Sequence, residues 1–419
     1  TWGDGTTGTS GTVSDLNSLV GTTAGDQVGV GGVTALSNGN YVVSSQSWVN
    51  GSLVSAGAAT WGSGTGGTVG EVTDLNSLVG GSASANLQAI VEDTVNGTYL
   101  VRFTSDTSGG AGGRVYAASI SGGGPVGLMF GDDPSATVTI TAARITDITD
   151  TGTGIILQAN NDITVNQAIA TSAGGSGGSI TMQAGRSILL NADITTDNGN
   201  LTLVANETLA NGVIDAHRDT GDAVISMASG VKIDAGTGAV TITLADGAGK
   251  TNLGHGSIVL RDIDAGTLTV SNLGNGTAAD IELRGALAIA GATNLVANRS
   301  IIGHSGASLA TQGGDIVVNA NRDATGGGNI QLTGTTVASN GGSIVLGGGA
   351  NPLTTAAIGI GTGNDAEKAG IYLSGGSINA GADTVQMRGQ GIAGTGNSYG
   401  IRVLGGAVIG HAAATGAIT

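Results

Sequence analysis

Cysteine is absent from the 419 residues, proline occurs only three times, and aromatic residues make up 2% of the chain. Without cysteine the chain can form neither disulfides nor cysteine-ligated metal sites. The scarcity of proline excludes collagen, although glycine contributes 80 residues. No run of about 18 apolar residues occurs, so no transmembrane helix is expected. Because the mean hydropathy is +0.22, the composition favours many short apolar strands joined by tight turns over disorder.

Basic residues are also scarce, with 14 Lys and Arg against 30 Asp and Glu, which gives a net charge of −16. A nucleic acid or an anionic lipid surface would repel such a chain, so neither is expected as a partner. The negative charge favours solubility and discourages association between exposed strands.

A near-verbatim repeat opens the chain. Residues 1–21 and 60–80 are identical at 16 of 21 positions, which gives a period of 59. Within one repeat the pattern predicts strands at 33–36, 41–45 and 57–61, with an Asn38-Gly39 turn of the kind that tight hairpins need. Residues 1–120 are therefore predicted to form two blade-like antiparallel units of three or four strands each. Trp48 and Trp61 are expected to pack inside these units, or to contact a sugar ligand.

The segment 121–134 holds two of the three prolines and is expected to be a linker or cap. From residue 135 short alternating strands recur, each written apolar-x-apolar-x-Ala and followed by Asn or Gly. We expect these Asn and Gly residues to form sharp corners between strands, because both tolerate the left-handed conformation. The predicted corner residues are Asn160, Gly185, Asn206, Asn298 and Asn321.

Successive corners lie 25 and 21 residues apart, which leaves room for two or three short strands per coil. Stacked coils would pair each strand in parallel with its counterparts above and below, and would bury the inward aliphatic side chains in one core. Residues 135–419 are therefore predicted to form a parallel β-helix, a solenoid of about 12–14 coils and about 60 Å in length. The fold class is all-β.

Residues 199–206 and 314–321 resemble coils of filamentous haemagglutinin-like exoproteins, which are two-partner-secreted adhesins of Gram-negative bacteria. The 59-residue unit is similar to repeat arrays in such large surface proteins. The resemblance implies a right-handed β-helix, export through an outer-membrane secretion pore, and a place outside the cell or attached to the outer membrane. It also implies cell-surface glycans or proteins as partners, or copies of the chain itself in a fibre or biofilm.

The expected function is thus that of a structural or adhesive rod, which is not an enzyme and carries no cofactor. One alternative is a β-helix enzyme that processes carbohydrate, on the charged segment holding Asp215, His217, Arg218, Asp219 and Asp222. Another is a lectin-like binding module in residues 1–120.

One further expectation concerns a metal ion, and another concerns the ends of the chain. A calcium ion could bind at the turn holding Asp365, where an ordinary turn carboxylate is the alternative. The chain begins within a repeat and ends at Gly416–Thr419 without an evident cap, so it is expected to belong to a longer polypeptide or an end-to-end assembly.

Overall fold

The structure is a computed structural model that describes residues 1, 3, 11–74, 76–94, 97–107, 113–121, 140–208, 213–250, 254–274, 276–394 and 398–410. The chain divides into two compact units, residues 1–133 and 134–419. The segment expected to be a linker or cap, 121–134, lies outside the described residues except for Ser121.

The described part of the first unit consists of short strands that form small antiparallel sheets. The strands are β1 (Leu19–Val20), β2 (Val33–Ala35), β3 (Tyr41–Ser45), β4 (Ala58–Gly62), β5 (Gly70–Glu71), β6 (Ser77–Val79), β7 (Leu87–Asp93), β8 (Thr98–Phe103) and β9 (Arg114–Ser119). One sheet has the order β2-β3-β4-β6 and another has the order β7-β8-β9, while β1 pairs in parallel with β5. The predicted blade-like meanders are confirmed. Strand β6 belongs to the second copy of the repeat yet closes the sheet of the first, so sheets and sequence repeats are offset.

Aromatic side chains anchor the larger core of this unit. The rings of Phe103 and Tyr116 meet edge to face, with centroids 5.5 Å apart, and Tyr99 is buried beside them. A smaller cluster gathers Trp48, Ala58 and Val72. Antiparallel meanders of this size bury little surface per strand, so large rings supply much of the apolar area.

The second unit is a parallel β-helix, as predicted, with three strands in each coil and three parallel sheets. Sheet 1 comprises β10 (Ile155–Ala159), β13 (Ile180–Ala184), β16 (Leu201–Ala205), β19 (Ala239–Leu244), β22 (Thr267–Asn272), β25 (Thr293–Ala297), β28 (Ile316–Ala320), β31 (Ile344–Gly348) and β35 (Val385–Met387). Sheet 2 comprises β11 (Ile163–Val165), β14 (Ile188–Leu190), β17 (Asp222–Met227), β20 (Gly254–Leu260), β23 (Ile281–Leu283), β26 (Ile301–Gly303), β29 (Ile330–Thr333), β33 (Ile371–Ser374) and β37 (Ile401–Leu404). Sheet 3 comprises β12 (Ile169–Ala170), β15 (Ile194–Thr195), β18 (Lys232–Asp234), β21 (Asp262–Ala265), β24 (Ala286–Ile289), β27 (Ser308–Thr311), β30 (Thr336–Ala338), β34 (Ser377–Asn379) and β38 (Val408–Ile409).

Period-two alternation places the aliphatic side chains inside the coils. In β13 the side chains of Ile180, Met182 and Ala184 are buried, and Thr181 and Gln183 are only partly so. The register between coils stacks aliphatic residues on aliphatic residues: Ile180 pairs with Ile155 in the coil before and with Leu201 in the coil after. The result is one continuous aliphatic core that extends from Ile145 to Val385.

Two features of this unit differ from the sequence prediction. A helix, α1 (Ala142–Thr149), precedes the first coil and contributes Ile145 to the core; its eight residues are too few to show a clear helical period among glycine-rich strands. The expected 12–14 coils are also wrong, because the described residues form nine. At the usual strand spacing of about 4.8 Å, nine coils span about 40 Å.

The coil count falls because one corner carries long insertions. The connections from sheet 2 to sheet 3 are one to four residues long. Those from sheet 3 to sheet 1 are one to five residues long, apart from residues 171–179. We call the connection from sheet 1 to sheet 2 the variable corner. In coils 1 to 9 it comprises residues 160–162, 185–187, 206–221, 245–253, 273–280, 298–300, 321–329, 349–370 and 388–400.

The connections of the last two coils carry short strands of their own. Coil 8 contributes the short strand β32 (Ala357–Ile358) and the helical turn α2 (Asp365–Lys368), and coil 9 contributes β36 (Gly389–Gln390). Strands β32 and β36 pair in parallel, so the insertions stack on each other as the coils do. Lengthening a loop costs little free energy when the strands on both sides keep their register.

Candidate functional site

All five predicted corner residues lie at the variable corner, each directly after a strand of sheet 1. Asn206 and Asn321 have φ of 53° and 52°, in the left-handed region, whereas the other three do not adopt it. Gly185 is required for another reason, since a Cβ there would lie 2.0 Å from the carbonyl oxygen of Asn160 in the coil before. Close stacking of coils, as well as backbone conformation, therefore selects these residues.

The asparagine side chains bind the corners of other coils. The amide oxygen of Asn160 accepts a hydrogen bond from the backbone N–H of Ile214 at 2.8 Å. The Asn206 amide donates to the carbonyl of Ala245 at 3.0 Å, and that of Asn298 donates to the carbonyl of Leu273 at 2.8 Å. Buried polar groups at the corner thus exchange hydrogen bonds between coils, which fixes the path of the inserted loops.

The charged segment of coil 3 lies on this corner. Residues Asp215–His217 form a 3-10 turn, and His217 is exposed. Arg218 is buried, and its Nε donates to the carbonyl of Gly185 at 2.9 Å. Asp219 lies 3.8 Å from Arg186, whose stronger partner is Asp162 at 2.6 Å. Arg218 and Asp219 are thus engaged in holding loops, and no carboxylate among the described residues forms an ion pair with His217.

Sequence reasoning missed a buried lysine at this place. Lys250 is 5% exposed, and its Nζ donates to the same Gly185 carbonyl at 3.0 Å. Burial lowers the pKa of Lys250 to about 8, and the nearby charge of Arg218 acts in the same direction. Two cationic side chains therefore share one acceptor under the loops of coils 3 and 4, an arrangement that only the stacking of coils reveals.

Asp162 shows the opposite balance. Burial would raise the pKa of its carboxyl, but hydrogen bonds from Arg186 and from the Ser187 backbone outweigh it and leave the pKa below its usual value. Both Asp162 oxygens accept from Arg186, at 2.8 and 2.6 Å. This bidentate pair secures the corners of coils 1 and 2 to each other.

A cleft interrupts the corner at coil 6. Its connection has only three residues, while coil 5 on one side has eight and coil 7 on the other has nine. The protruding loops leave a cleft of about 270 Å³ between them, lined by Gly276, Thr277, Arg299, Asp323, Thr325 and Ile360 among others. Burial raises the pKa of Asp280, and the paired Arg299 offsets this only in part. The number of residues between a corner asparagine and the next strand differs between Asn298 and Asn321, and this difference is the signal in the sequence that could have indicated the cleft.

The predicted ligand contacts in the first unit lie mostly inside it. Trp48 is 3% exposed and packs in the smaller core. Trp61 is partly buried, and its indole N–H donates to the carbonyl of Ile120 at 3.0 Å. Ligand contact by these two residues stays a prediction, and packing accounts for the position of both.

The turn that holds Asp365, where a calcium ion was expected as one possibility, is stabilised by contacts within the protein. Asp365 forms an ion pair with Arg402 at 2.7 Å, and Asn364 caps the helical turn by accepting from the Glu367 N–H at 3.0 Å. Within the described ranges, no group of three or more His, Asp or Glu side chains is placed to hold a metal ion. Likewise, none of the helices described is long and apolar enough to span a membrane.

The fold and its variable corner define a β-helical repeat protein. A family model described as a repeat of unknown function (DUF5650) matches residues 1–30 and 35–89, so the repetitive nature of the first unit is shown. No curated protein and no solved structure matches the chain.

Proposed function

We propose that the chain is a structural and adhesive rod of a large bacterial surface or secreted protein. The observation that carries this proposal is the concentration of long insertions at one corner of a continuous β-helix, where all but one of the connections longer than five residues lie. Three parallel sheets that pair coil on coil provide a stiff shaft, and variable loops along one edge provide a surface that can differ between coils.

The resemblance to filamentous haemagglutinin-like exoproteins supports the finer form of the proposal. In that form the rod is exported through an outer-membrane pore and acts outside a Gram-negative cell in adhesion, cell contact or fibre formation. A chain without cysteine suits such export because no disulfide would hinder its threading through a pore. Cell-surface glycans or proteins are the proposed partners.

Contacts at the charged segment favour a structural role over catalysis there. Arg218 donates to the backbone, and acid–base catalysis requires groups within hydrogen-bond reach of a substrate in a groove. The enzymatic alternative therefore has no observation of its own in the described residues.

Attachment assays test the adhesive proposal. The full chain would be displayed on cells that do not otherwise adhere, and attachment to glycan-coated and protein-coated surfaces would be counted. We expect attachment, and we expect its loss when residues 349–370 are replaced by the three-residue corner 298–300. A matched control replaces the long connection on another corner, 171–179, by residues 196–200, and should leave attachment intact. Absence of attachment to every surface, or equal loss in both variants of verified fold, would overturn the proposal.

A further inference from the structure

The cleft at coil 6 is a consequence of loop lengths. Because coil 6 turns with three residues between longer loops, the floor of the cleft is its own corner, Asn298 and Arg299. The walls come from the coil-5 loop with Gly276 and Thr277 and from the coil-7 loop with Asp323 and Thr325. The cleft is therefore a feature of the backbone path, and no exposed side chain has to move to open it.

Opposite charges meet in this cleft. Arg299 keeps 28% of its side chain exposed while its guanidinium pairs with Asp280, whose side chain is 9% exposed. Asp323 accepts from the Thr325 hydroxyl at 2.7 Å and from the Thr325 N–H at 3.0 Å. The cleft lining carries one carboxylate, Asp323, and one guanidinium, Arg299, which is already paired with Asp280, so the charges favour neither a phosphate nor a metal ion. Donors and acceptors side by side suit vicinal hydroxyl groups, each of which both donates and accepts.

The size and lining of the cleft also favour a ligand that carries hydroxyl groups on a single ring. A volume of about 270 Å³ is just below the usual range for small-molecule pockets of about 300–1,000 Å³, so a single ring fits better than a long chain. Glycines on both walls let a ligand approach the backbone closely. Ile360 of coil 8 adds an apolar patch on the lining, against which the C–H face of a sugar ring can pack.

A buried amide next to the floor lacks a partner. By the register of the preceding strands, Asn321 follows Asn298 in the coil stack. Asn321 is 1% exposed, and neither its amide oxygen nor its amide nitrogen has a hydrogen-bond partner among the described residues. Such groups are costly when they stay without a partner, and the backbone N–H of Asn321 donates to the carbonyl of Arg299 at 3.0 Å, which places this amide next to the floor of the cleft.

We infer that the cleft between the loops of coils 5 and 7 binds one uncharged, hydroxyl-rich ring, a hexopyranose unit of a glycan. The inference deepens the proposed adhesive function by naming the ligand class of one site on the variable corner. It stands on the juxtaposition of Arg299, Asp323 and the glycine-lined walls in one cleft.

Saturation-transfer NMR on the full chain tests the site with the methyl glycosides of glucose, galactose, mannose and N-acetylglucosamine. We expect at least one of them to bind with a Kd in the millimolar range, about the affinity that a ligand of this size reaches. Thr277→Trp fills the cleft without removing a described hydrogen bond and should abolish the signal. Thr333→Trp, an exposed strand residue of the same β-helix, should leave it unchanged.

Several outcomes would overturn the inference. The first is the absence of saturation transfer with all four sugars, and the second is a sugar signal that persists in Thr277→Trp. The third is saturable binding of inorganic phosphate or Ca²⁺ that Thr277→Trp removes and Thr333→Trp retains. Asp323→Asn should weaken sugar binding at least fivefold, whereas Asp246→Asn, an equivalent turn carboxylate in the coil-4 loop, should not. Sugar binding without attachment of displayed cells would refute the adhesive proposal and leave the site standing.

Discussion

The two units of this chain solve the problem of an all-β core in different ways. In the first, short antiparallel meanders enclose rings, with Phe103 against Tyr116 and Trp48 in a cluster of its own. In the second, every coil adds the same small aliphatic layer, and one core runs through all of them. A few large residues carry the first core and many equal ones carry the second. Loss of a single side chain should therefore have different consequences in the two.

The largest expected effect is in the first unit. Phe103→Ala removes a fully buried ring and should lower the free energy of unfolding of that unit by about 3–5 kcal/mol. Calorimetry should show two transitions in the native chain, of which only the one assigned to the first unit shifts. Val115→Ala, at a 61% exposed position on the adjoining strand, is the control. A shift of both transitions by Phe103→Ala would contradict the picture of two separate cores.

In the second unit, Ile281→Ala should lower the free energy of unfolding by about 2–5 kcal/mol. The reason is that Ile281 is fully buried between Ile258 and Ile301 of the neighbouring coils. Hydrogen exchange should show the loss concentrated in the coils nearest to it, since coils contact only their neighbours. Ile156→Ala, at a 67% exposed position, should change stability by less than about 0.5 kcal/mol. Uniform loss of protection over all nine coils would show that the unit unfolds as a single cooperative block.

Dependence of stability on pH should also separate the units, since all three lysines lie in the second. The pKa of Lys250 is about 8 in the folded chain against an ordinary value of 10.5, so the unfolded chain binds the extra proton between these values. Stability of the second unit should therefore rise with pH over this window, by at most about 3 kcal/mol.

Urea unfolding below pH 8 and near pH 10.5 measures this effect, and Lys250→Met should abolish the rise. Lys232 is the control, because hydrogen bonds to Asp264 and Asp234 raise its pKa instead. Lys232→Met should leave the rise in place. The explanation by the buried Lys250 ammonium would be ruled out if the second unit of the native chain lost stability as the pH rose from 8 to 10.5 and Lys250→Met showed the same pH dependence.

The smallest effect distinguishes a stacked corner from a free loop. Gly185→Ala places a Cβ 2.0 Å from a carbonyl oxygen of the coil before and should destabilise the second unit by about 1–3 kcal/mol. Gly66→Ala in the first unit meets nothing closer than 3.8 Å and should be nearly neutral. Thermal melts of the two variants give the comparison directly, and equal shifts would mean that coil stacking does not select glycine at 185.

Much of the fold was predictable because its signals are local. Alternation of apolar and polar residues marks a strand wherever it occurs, as in Ile180–Ala184, and Asn or Gly marks the sharp corner that follows. Helix α1 and the number of coils were not predictable in this way. A short helix leaves too few residues for a period, and a coil with a long insertion has the same strands as one without.

The candidate site was less predictable, since its parts are distant in sequence. The charged segment at Asp215–Asp222 was visible as a motif, but its partners Gly185 and Lys250 come from other coils. Arg299 follows a predicted corner residue, Asn298, but no motif indicated that its side chain would line a cleft. Its place at the floor of a cleft depends on the lengths of the loops on both sides.

The sequence by itself determined the all-β class, the repeat in residues 1–80, the parallel stacking of strands in the second unit and the residues that turn the corners. These follow from side-chain alternation and backbone preference, which act over a few residues. Tertiary structure decided that most of the long insertions share one corner, that Lys250 is buried beside Arg218, and that loops of unequal length enclose a cleft at coil 6. Register between coils brings residues about 20 to 65 positions apart into contact, and no local pattern records that register.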